Sequence, residues 1–151
     1  MSSSSERARE PRVLAFTCTY CAYAAAESAG VSKLQYPPNV YIVRLPCSGM
    51  FKGYYVLRAL RQGFDAVLWG GCHPPYDCHF VNGNYKAQVR ATLLRAYLKQ
   101  LGFEEERFRL EWIAAGEADK FVEVVKDMVK KASALPKLEF IEPSEVVEEC
   151  L

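Results

Sequence analysis

The sequence predicts a single α/β domain with a mostly parallel four-stranded sheet flanked by helices. Four short apolar runs, rich in β-branched and aromatic residues, alternate with four segments of helical composition or periodicity. The chain has 151 residues and half of them are apolar, which suits one domain with a substantial core. Right-handed crossovers between parallel strands would give it the three layers of a Rossmann- or flavodoxin-like fold.

Strands are predicted where apolar runs lie between turn signals. They are Val13–Phe16, Val40–Leu45, Ala66–Trp69 and Phe108–Ile113. We expect residues 11–135 to form the domain and the polar residues 1–10 to form a disordered lead-in. Residues 136–151 hold two prolines and an acidic run, and they predict a C-terminal tail that is either solvated or docked on a partner.

Four helices are predicted between and after these strands. They are Ala22–Ala29 before Gly30, Phe51–Gln62 before Gly63, a long helix capped by Asn84 and ended by Gly102, and a last helix between Gly116 and Pro136. The inner face of the third is expected to comprise Val89, Leu93, Leu94, Tyr97 and Leu101. That of the fourth is expected to comprise Phe121, Val124, Val125, Met128 and Val129.

Composition and charge exclude several functional classes. The 19 basic and 18 acidic side chains nearly cancel, so no long-range positive field favours nucleic acid or an anionic membrane. The sequence has neither a signal-peptide pattern nor an apolar stretch of membrane-spanning length. We therefore expect a cytoplasmic protein with protein or small-molecule partners. In a reducing cytosol the six cysteines are not expected to form disulfides, which leaves metal binding, redox chemistry or core packing.

Five cysteines follow the first three predicted strands. Cys18 and Cys21 follow the first, Cys47 the second, and Cys72 and Cys78 the third, whereas the sixth cysteine, Cys150, lies elsewhere. The carboxyl ends of parallel strands meet at one edge of the sheet, where ligands of such folds bind. A single cysteine would be explained as a small core residue. Five beside glycines and prolines predict a thiolate-bound metal or iron–sulfur cluster.

Other functions fit parts of this pattern. The C-x-x-C of Cys18 and Cys21 also suits a thiol–disulfide oxidoreductase, but that function gives Cys47, Cys72 and Cys78 no role. A structural zinc site takes four sulfurs, although such sites usually combine two C-x-x-C knuckles. An iron–sulfur cluster also takes four thiolates, so one of the five cysteines would be extra.

Two histidines lie beside Cys72 and Cys78, and each has two possible functions. His73 and His79 are either cluster ligands, as imidazoles are in Rieske centres, or loop residues that make hydrogen bonds. With five thiols available, the second role is favoured. Gly70 and Gly71, directly before Cys72, suit backbone N–H groups that point toward a cluster sulfide.

Spaced motifs between Val13 and Val129 give the chain a family resemblance. These motifs are Phe16-Thr-Cys-Thr-Tyr-Cys21, Gly30-Val-Ser-Lys-Leu-Gln-Tyr-Pro-Pro-Asn39, Cys47-Ser-Gly49, Gly71-Cys-His73, Asp77-Cys-His79, Gly83-Asn-Tyr-Lys86 and Glu111-Trp-Ile113. With them the chain resembles the delta subunit family of methyl-viologen-reducing, F420-nonreducing hydrogenase.

The resemblance implies a function and a cofactor. Members of that family carry a [2Fe–2S] cluster, whose ligands here would be four of Cys18, Cys21, Cys47, Cys72 and Cys78. It implies an electron carrier that catalyses nothing alone. Such a carrier relays electrons from a hydrogenase, or a formate dehydrogenase in its place, to a flavoprotein like the heterodisulfide reductase A-subunit. Flavin-based electron bifurcation would occur in that flavoprotein.

Overall fold

The computed structural model describes residues 10–140, which form four strands and four helices. The elements are β1 Val13–Cys18, α1 Ala22–Val31, β2 Val40–Leu45, α2 Gly53–Arg61, β3 Ala66–Gly71, α3 Gly83–Gln100, β4 Phe108–Trp112 and α4 Ala118–Ser133. Short 3-10 turns span Ser48–Met50 and Glu105–Arg107. The predicted lead-in, apart from its last residue, lies outside the described residues, as do the acidic end of the tail and Cys150.

All four strands are parallel and lie in the order β2-β1-β3-β4. Val13 at the start of β1 pairs with Val40 of β2 on one side and with Ala66 of β3 on the other. The chain first adds β2 beside β1 and then crosses to the opposite side for β3, so the topological switch point lies between β1 and β3. The predicted α/β class is confirmed, and the sheet is parallel throughout.

Helices cover both faces of the sheet. Alternate residues of the central strands point to opposite sides, so Ala15 and Leu68 pack with α1 and α4 whereas Leu14 and Trp69 pack with α2 and α3. The central strands β1 and β3 are almost wholly buried, as is usual for parallel strands covered on both faces. This packing fixes the carboxyl ends of β1 and β3 side by side.

Several element ends differ from the sequence-based predictions. Strand β3 continues through Gly71 because that residue still pairs with Trp112 of β4. Helix α3 begins at Gly83 with Asn82 as its N-cap, so the prediction that Asn84 caps the helix is wrong. Asn84 is instead buried in the first turn, where its side-chain amide donates to the His73 carbonyl oxygen at 3.1 Å.

The predicted inner face of α3 is also wrong. Of its five residues only Leu94 is buried, whereas the other four are 57–64 % exposed. The helix buries Ala87, Ala91 and Leu98 instead. Small side chains let α3 lie close to the chain beneath it, so that alanine rather than the larger apolar residues faces inward. The predicted face of α4 is confirmed, with four residues buried and Val129 partly so.

The amino edge of the sheet is held by a buried arginine. Arg107 is fully buried, and its guanidinium donates to the carbonyl oxygens of Asp65 at 3.1 Å and Pro136 at 2.6 Å. Its Nε group forms an ion pair with Glu104. The backbone N–H of Arg12 donates to the Asp65 carboxylate at 2.8 Å, so the segments before β1 and after α4 are both fastened at this edge. Within residues 10–140, no helix has the length and apolarity needed to cross a bilayer.

Candidate metal centre

Five thiols meet at the carboxyl edge of the sheet. Cys18 ends β1, Cys21 directly precedes α1, Cys47 precedes the turn after β2, Cys72 directly follows β3, and Cys78 lies in the loop before α3. All five are free thiols. Because Cys18 and Cys72 extend neighbouring strands, they lie at the switch point between β1 and β3, where the sheet opens toward a ligand.

The sulfur atoms form a group of three and a pair. The Sγ atoms of Cys18, Cys21 and Cys72 lie within 4.8 Å of one another, and Cys18 and Cys72 are 3.5 Å apart. The Sγ atoms of Cys47 and Cys78 form the pair, at 3.9 Å. The strand ends therefore bring together all five cysteines singled out in the sequence.

Backbone N–H groups point at several of these sulfurs. The Ala22 N–H donates to Cys18 Sγ at 3.4 Å, and the Gly49 N–H donates to Cys47 Sγ at 3.3 Å. Both donors lie at the start of a helical turn, where N–H groups have no partner within the helix. Such bonds favour a negatively charged sulfur.

The pKa values of the group of three are shifted by mutual contacts and burial. The hydrogen bond from the Cys72 thiol lowers the pKa of Cys18 to about 6, although burial opposes this shift. The same hydrogen bond, together with burial, raises the pKa of Cys72. Burial raises the pKa of Cys21. In this group Cys18 therefore carries negative charge most readily.

The Cys47–Cys78 pair behaves similarly. Burial raises the pKa of Cys47, and nearby charge on Cys78 and Cys18 raises it further. Burial opposes ionisation of Cys78 too, but backbone N–H groups of Phe80, Asn84 and Gly83 lower its pKa. Within the pair, Cys78 therefore ionises more readily than Cys47.

Three glycines shape this site. A Cβ atom on Gly83 would overlap Cys47 Sγ and would lie 3.0 Å from Cys78 Sγ, so only glycine lets α3 begin against the sulfur pair. A Cβ on Gly71 would lie 2.8 Å from the Trp112 ring, and one on Gly70 would lie 2.8 Å from the Ala22 Cβ. Gly70 and Gly71 thus allow β3 to pack closely against Ala22 and Trp112, and their predicted N–H bonds to a cluster stay a prediction.

Both histidines have partners other than the sulfurs. His73 Nε2 lies 2.7 Å from Glu117 Oε2, and the His79 ring stacks on Tyr20 with ring centroids 3.8 Å apart. The Ala114 N–H, followed by His73, lowers the pKa of the Glu117 carboxyl. These contacts are those of loop residues that hold the edge of the site, the role favoured by the sequence.

Sequence reasoning missed Ser48 and Glu117. Ser48 is fully buried beneath Gly71, and within the described residues its Oγ atom has no hydrogen-bond partner. Its carbonyl oxygen accepts from the Trp69 indole N–H at 3.1 Å, which fixes the turn that carries Cys47. Only its place in Cys47-Ser-Gly49 could have indicated Ser48, and nothing in the sequence pairs Glu117 with His73.

The donor set fits an iron–sulfur group. Two thiolates bound about 2.3 Å from one tetrahedral metal ion lie about 3.8 Å apart. The separations of 3.5 Å and 3.9 Å in the two sulfur pairs match this spacing. All the candidate ligands are sulfur, the donor that tetrahedral iron–sulfur clusters and zinc prefer. Each of the two pairs therefore has the spacing that a tetrahedral metal ion requires.

Comparison with known proteins agrees with this chemistry. Residues 13–136 match the family described as methyl-viologen-reducing hydrogenase, delta subunit. The chain is 44 % identical over 126 residues to the vhc iron-sulfur subunit of the F420-non-reducing hydrogenase of Methanococcus voltae, covering 83 % of this chain and 87 % of the relative. It is 47 % identical over 118 residues to the iron-sulfur subunit of the F420-non-reducing hydrogenase of Archaeoglobus profundus, covering 78 % and 85 %.

A second kind of relative is much longer than this chain. Over 150 residues the chain is 35 % identical to the A-subunit of the ferredoxin/F420H2-dependent CoB–CoM heterodisulfide reductase of Methanosarcina acetivorans. That match covers 98 % of this chain and 18 % of the relative, so a region like this chain forms part of that larger protein. With the family match over nearly all of its described residues, the chain belongs to the methyl-viologen-reducing hydrogenase delta subunit family.

Proposed function

We propose that this chain is the [2Fe–2S] electron-transfer subunit of a cytoplasmic complex. It relays electrons between a hydrogenase, or a formate dehydrogenase in its place, and a flavoprotein of the heterodisulfide reductase A-subunit type. The observation that carries the proposal is the convergence of five thiols from three strand ends at one edge of the sheet. Relatives named as iron-sulfur subunits of a hydrogenase support it.

The arrangement of the sulfurs suggests how the ligands divide. Each iron of a [2Fe–2S] cluster takes two thiolates. Cys47 and Cys78 would hold one iron, and two of Cys18, Cys21 and Cys72 would hold the other. When bound, the cluster supplies one-electron redox chemistry. The third member of the group of three would be the extra thiol.

Residues around the sulfurs would tune and shield the group. The N–H groups of Ala22 and Gly49 hydrogen-bond to sulfur, and such bonds raise the reduction potential of a cluster. Cys18, Cys72 and Cys78 are buried, whereas Cys21 and Cys47 are partly exposed. The site therefore lies just below the surface, where it is shielded from water and close to any docked partner.

The thiol–disulfide alternative fits the geometry less well. An attacking thiol needs both a low pKa and access to its substrate. Cys18 has the lowered pKa but is only 2 % exposed, whereas Cys21 is partly exposed and has a raised pKa. Neither cysteine combines the two properties. Structural zinc uses the same donors, and metal analysis distinguishes it from iron.

Anaerobic purification followed by iron, zinc and sulfide analysis tests the proposal. We expect brown protein with about two irons and two sulfides per chain, and a visible spectrum that dithionite bleaches. Colourless protein that contains zinc or no metal, after anaerobic reconstitution with iron and sulfide, would rule out the cluster.

Single Cys-to-Ser variants test the division of ligands. We expect Cys47→Ser and Cys78→Ser each to lose most of the iron and the visible spectrum. One of the three variants at Cys18, Cys21 and Cys72 should keep both, because that cysteine is the extra thiol. Val31→Ser, an exposed site on α1, is the control for handling losses. Full iron content in the Cys47 or Cys78 variant would contradict this division.

A further inference from the structure

Helix α3 presents a long apolar ridge to solvent. The ridge consists of Tyr85, Val89, Leu93, Tyr97 and the helix C-cap Leu101, which are 45–64 % exposed. Residues four apart are neighbours on the surface of a helix, so these five side chains form a row that winds gradually around α3. A contiguous apolar surface of this kind on a soluble domain marks an interaction site.

The charges of α3 all have one sign. The helix carries Lys86, Arg90, Arg95 and Lys99, and no acidic residue lies between Gly83 and Gln100. All four basic side chains are exposed. Lys86 and Arg90 lie beside the ridge, where they line a cavity with Tyr85 and Val89. Arg95 and Lys99 line a different cavity, together with Glu105. The positive border of the ridge therefore lies at Lys86 and Arg90, although the whole chain is nearly neutral.

A groove beside the ridge combines the same two properties. It has a volume of about 360 Å³ and lies between the start of α2 and α3, where Lys52, Arg90, Leu93 and Tyr97 line it. The Arg90 guanidinium donates to the carbonyl oxygens of Gly49 at 2.8 Å and Phe51 at 3.2 Å, which holds this cation at the groove. The groove thus offers an apolar floor with fixed positive charge at its edge.

The ridge begins at the sulfur site. Gly83, the first residue of α3, contacts the sulfur atoms of Cys47 and Cys78, and Tyr85 follows two residues later. A protein that covers the ridge therefore comes to lie beside the thiols. This is the placement that electron transfer between two subunits requires.

Charge decides between the possible occupants. A second copy of this chain would present the same basic helix across a two-fold axis, and like charges would face each other at the interface. A favourable partner carries an apolar patch bordered by aspartate and glutamate. Relatives in which a similar region is part of the heterodisulfide reductase A-subunit favour that protein over the hydrogenase.

We propose that the α3 ridge and its basic border form the docking surface for the flavoprotein of the heterodisulfide reductase A-subunit type. This inference rests on the proposed function, because it names the surface by which the electron carrier meets its partner. The flavoprotein contributes an apolar patch bordered by carboxylates. Ionic contacts at the border guide association, and burial of the ridge slows dissociation.

Binding measurements on anaerobically prepared protein test this surface. The probe is the purified flavoprotein of this type from the same source, and the dissociation constant is measured at low and at high salt. We expect Leu93→Ser/Tyr97→Ser to weaken binding by about tenfold or more, as loss of central apolar contacts does. Lys52→Glu/Lys86→Glu, which reverses two exposed charges beside the ridge, should weaken binding most at low salt, because salt screens the charges.

Matched variants on other helices control for fold and charge. Val31→Ser removes an exposed apolar side chain from α1, and Lys126→Glu/Lys130→Glu makes the same charge change on α4. Both should bind like the parent chain. Iron content and unfolding midpoint, measured on every variant, should match the parent and exclude a folding defect.

Several outcomes would overturn the docking surface. Unchanged affinity in both ridge variants refutes it, and so does loss of binding to the hydrogenase with binding to the flavoprotein intact. If the ridge variants instead dissolve a dimer of this chain, the surface joins two copies. If the parent chain carries no cluster, or does not bind the flavoprotein at all, the proposed function fails as well. Failure of the docking surface alone is therefore distinguishable from failure of the proposed function.

Discussion

Helices α3 and α4 are similar in length, yet α4 has one apolar face, which is buried, whereas α3 has apolar residues on both its buried and its exposed sides. The apolar face of α4, with Phe121 and Val125, is buried against α1 and the sheet. The main apolar row of α3 faces solvent, and alanines fill much of its buried face. The solvent side of α4 mixes both charge signs, whereas α3 carries only positive charge.

This difference shows that apolar spacing alone does not tell which side of a helix is buried when apolar residues occur on more than one side. In α4 the large apolar residues share one face, and that face is buried in the core. Helix α3 carries two apolar faces, and the one with the small residues Ala87 and Ala91 is buried. The face with the larger residues is exposed and forms the proposed docking surface.

Replacing a large aromatic side chain in each helix should separate the two faces most clearly. Phe121 of α4 is fully buried and Tyr97 of α3 is 63 % exposed. We expect Phe121→Ala to lower the free energy of unfolding by about 4 kcal/mol through lost burial and a cavity. Tyr97→Ala should change it by no more than about 0.5 kcal/mol. Urea unfolding followed by circular dichroism measures both, and equal losses would mean that the isolated domain uses the ridge as core.

Two adjacent leucines allow the same comparison within α3. Leu94 is 5 % exposed and Leu93 is 57 % exposed, although the two are neighbours in sequence. Leu94→Ala should cost about 3 kcal/mol of unfolding free energy, and Leu93→Ala no more than about 0.5 kcal/mol. Urea unfolding measures both variants. A larger loss of unfolding free energy for Leu93→Ala than for Leu94→Ala would mean that Leu93 faces the core, as the sequence predicted.

The smallest effect is expected for the ion pairs on the solvent side of α4. Lys131, and then Arg109, lower the pKa of Asp127, which is 40 % exposed. Asp127→Asn should therefore lower stability by less than about 1 kcal/mol at neutral pH. A depressed folded-state pKa contributes stability above the unfolded pKa and loses it as the pH falls toward the folded value. The difference in free energy of unfolding between Asp127→Asn and the parent chain should become smaller as the pH falls from about 6 to about 3. An increase in this difference would contradict the prediction.

The sequence allowed the sheet and the meeting place of the cysteines to be predicted. Val40–Leu45 is a strand with the predicted bounds, and parallel strands necessarily bring Cys18, Cys47 and Cys72 to one edge. The division of the five sulfurs into a group of three and a pair was not predictable, because it depends on the order of the strands in the sheet. The C-x-x-C suggested that Cys18 pairs with Cys21, but β1 and β3 are neighbours, and Cys18 also hydrogen-bonds to Cys72.

The role of Gly83 was beyond sequence reasoning for a similar reason. Gly83 has no side chain and so leaves space for the sulfur atoms of Cys47 and Cys78. Cys47 lies far from Gly83 in the sequence, after a different strand. The motif Gly83-Asn-Tyr-Lys86 marks this glycine but does not show which atoms lie against it. Contacts of this kind depend on tertiary structure and cannot be read from a single sequence.

The buried Arg107 has a consequence for how the domain can be joined to other molecules. It fastens the segment after α4 at the sheet edge opposite the cysteines, and Asp65 holds the segment before β1 there too. A tether at either end of the described chain therefore leaves from the side away from the sulfurs. Attachment there would bind the domain to an electrode or a second protein while the edge that holds the cysteines stays uncovered.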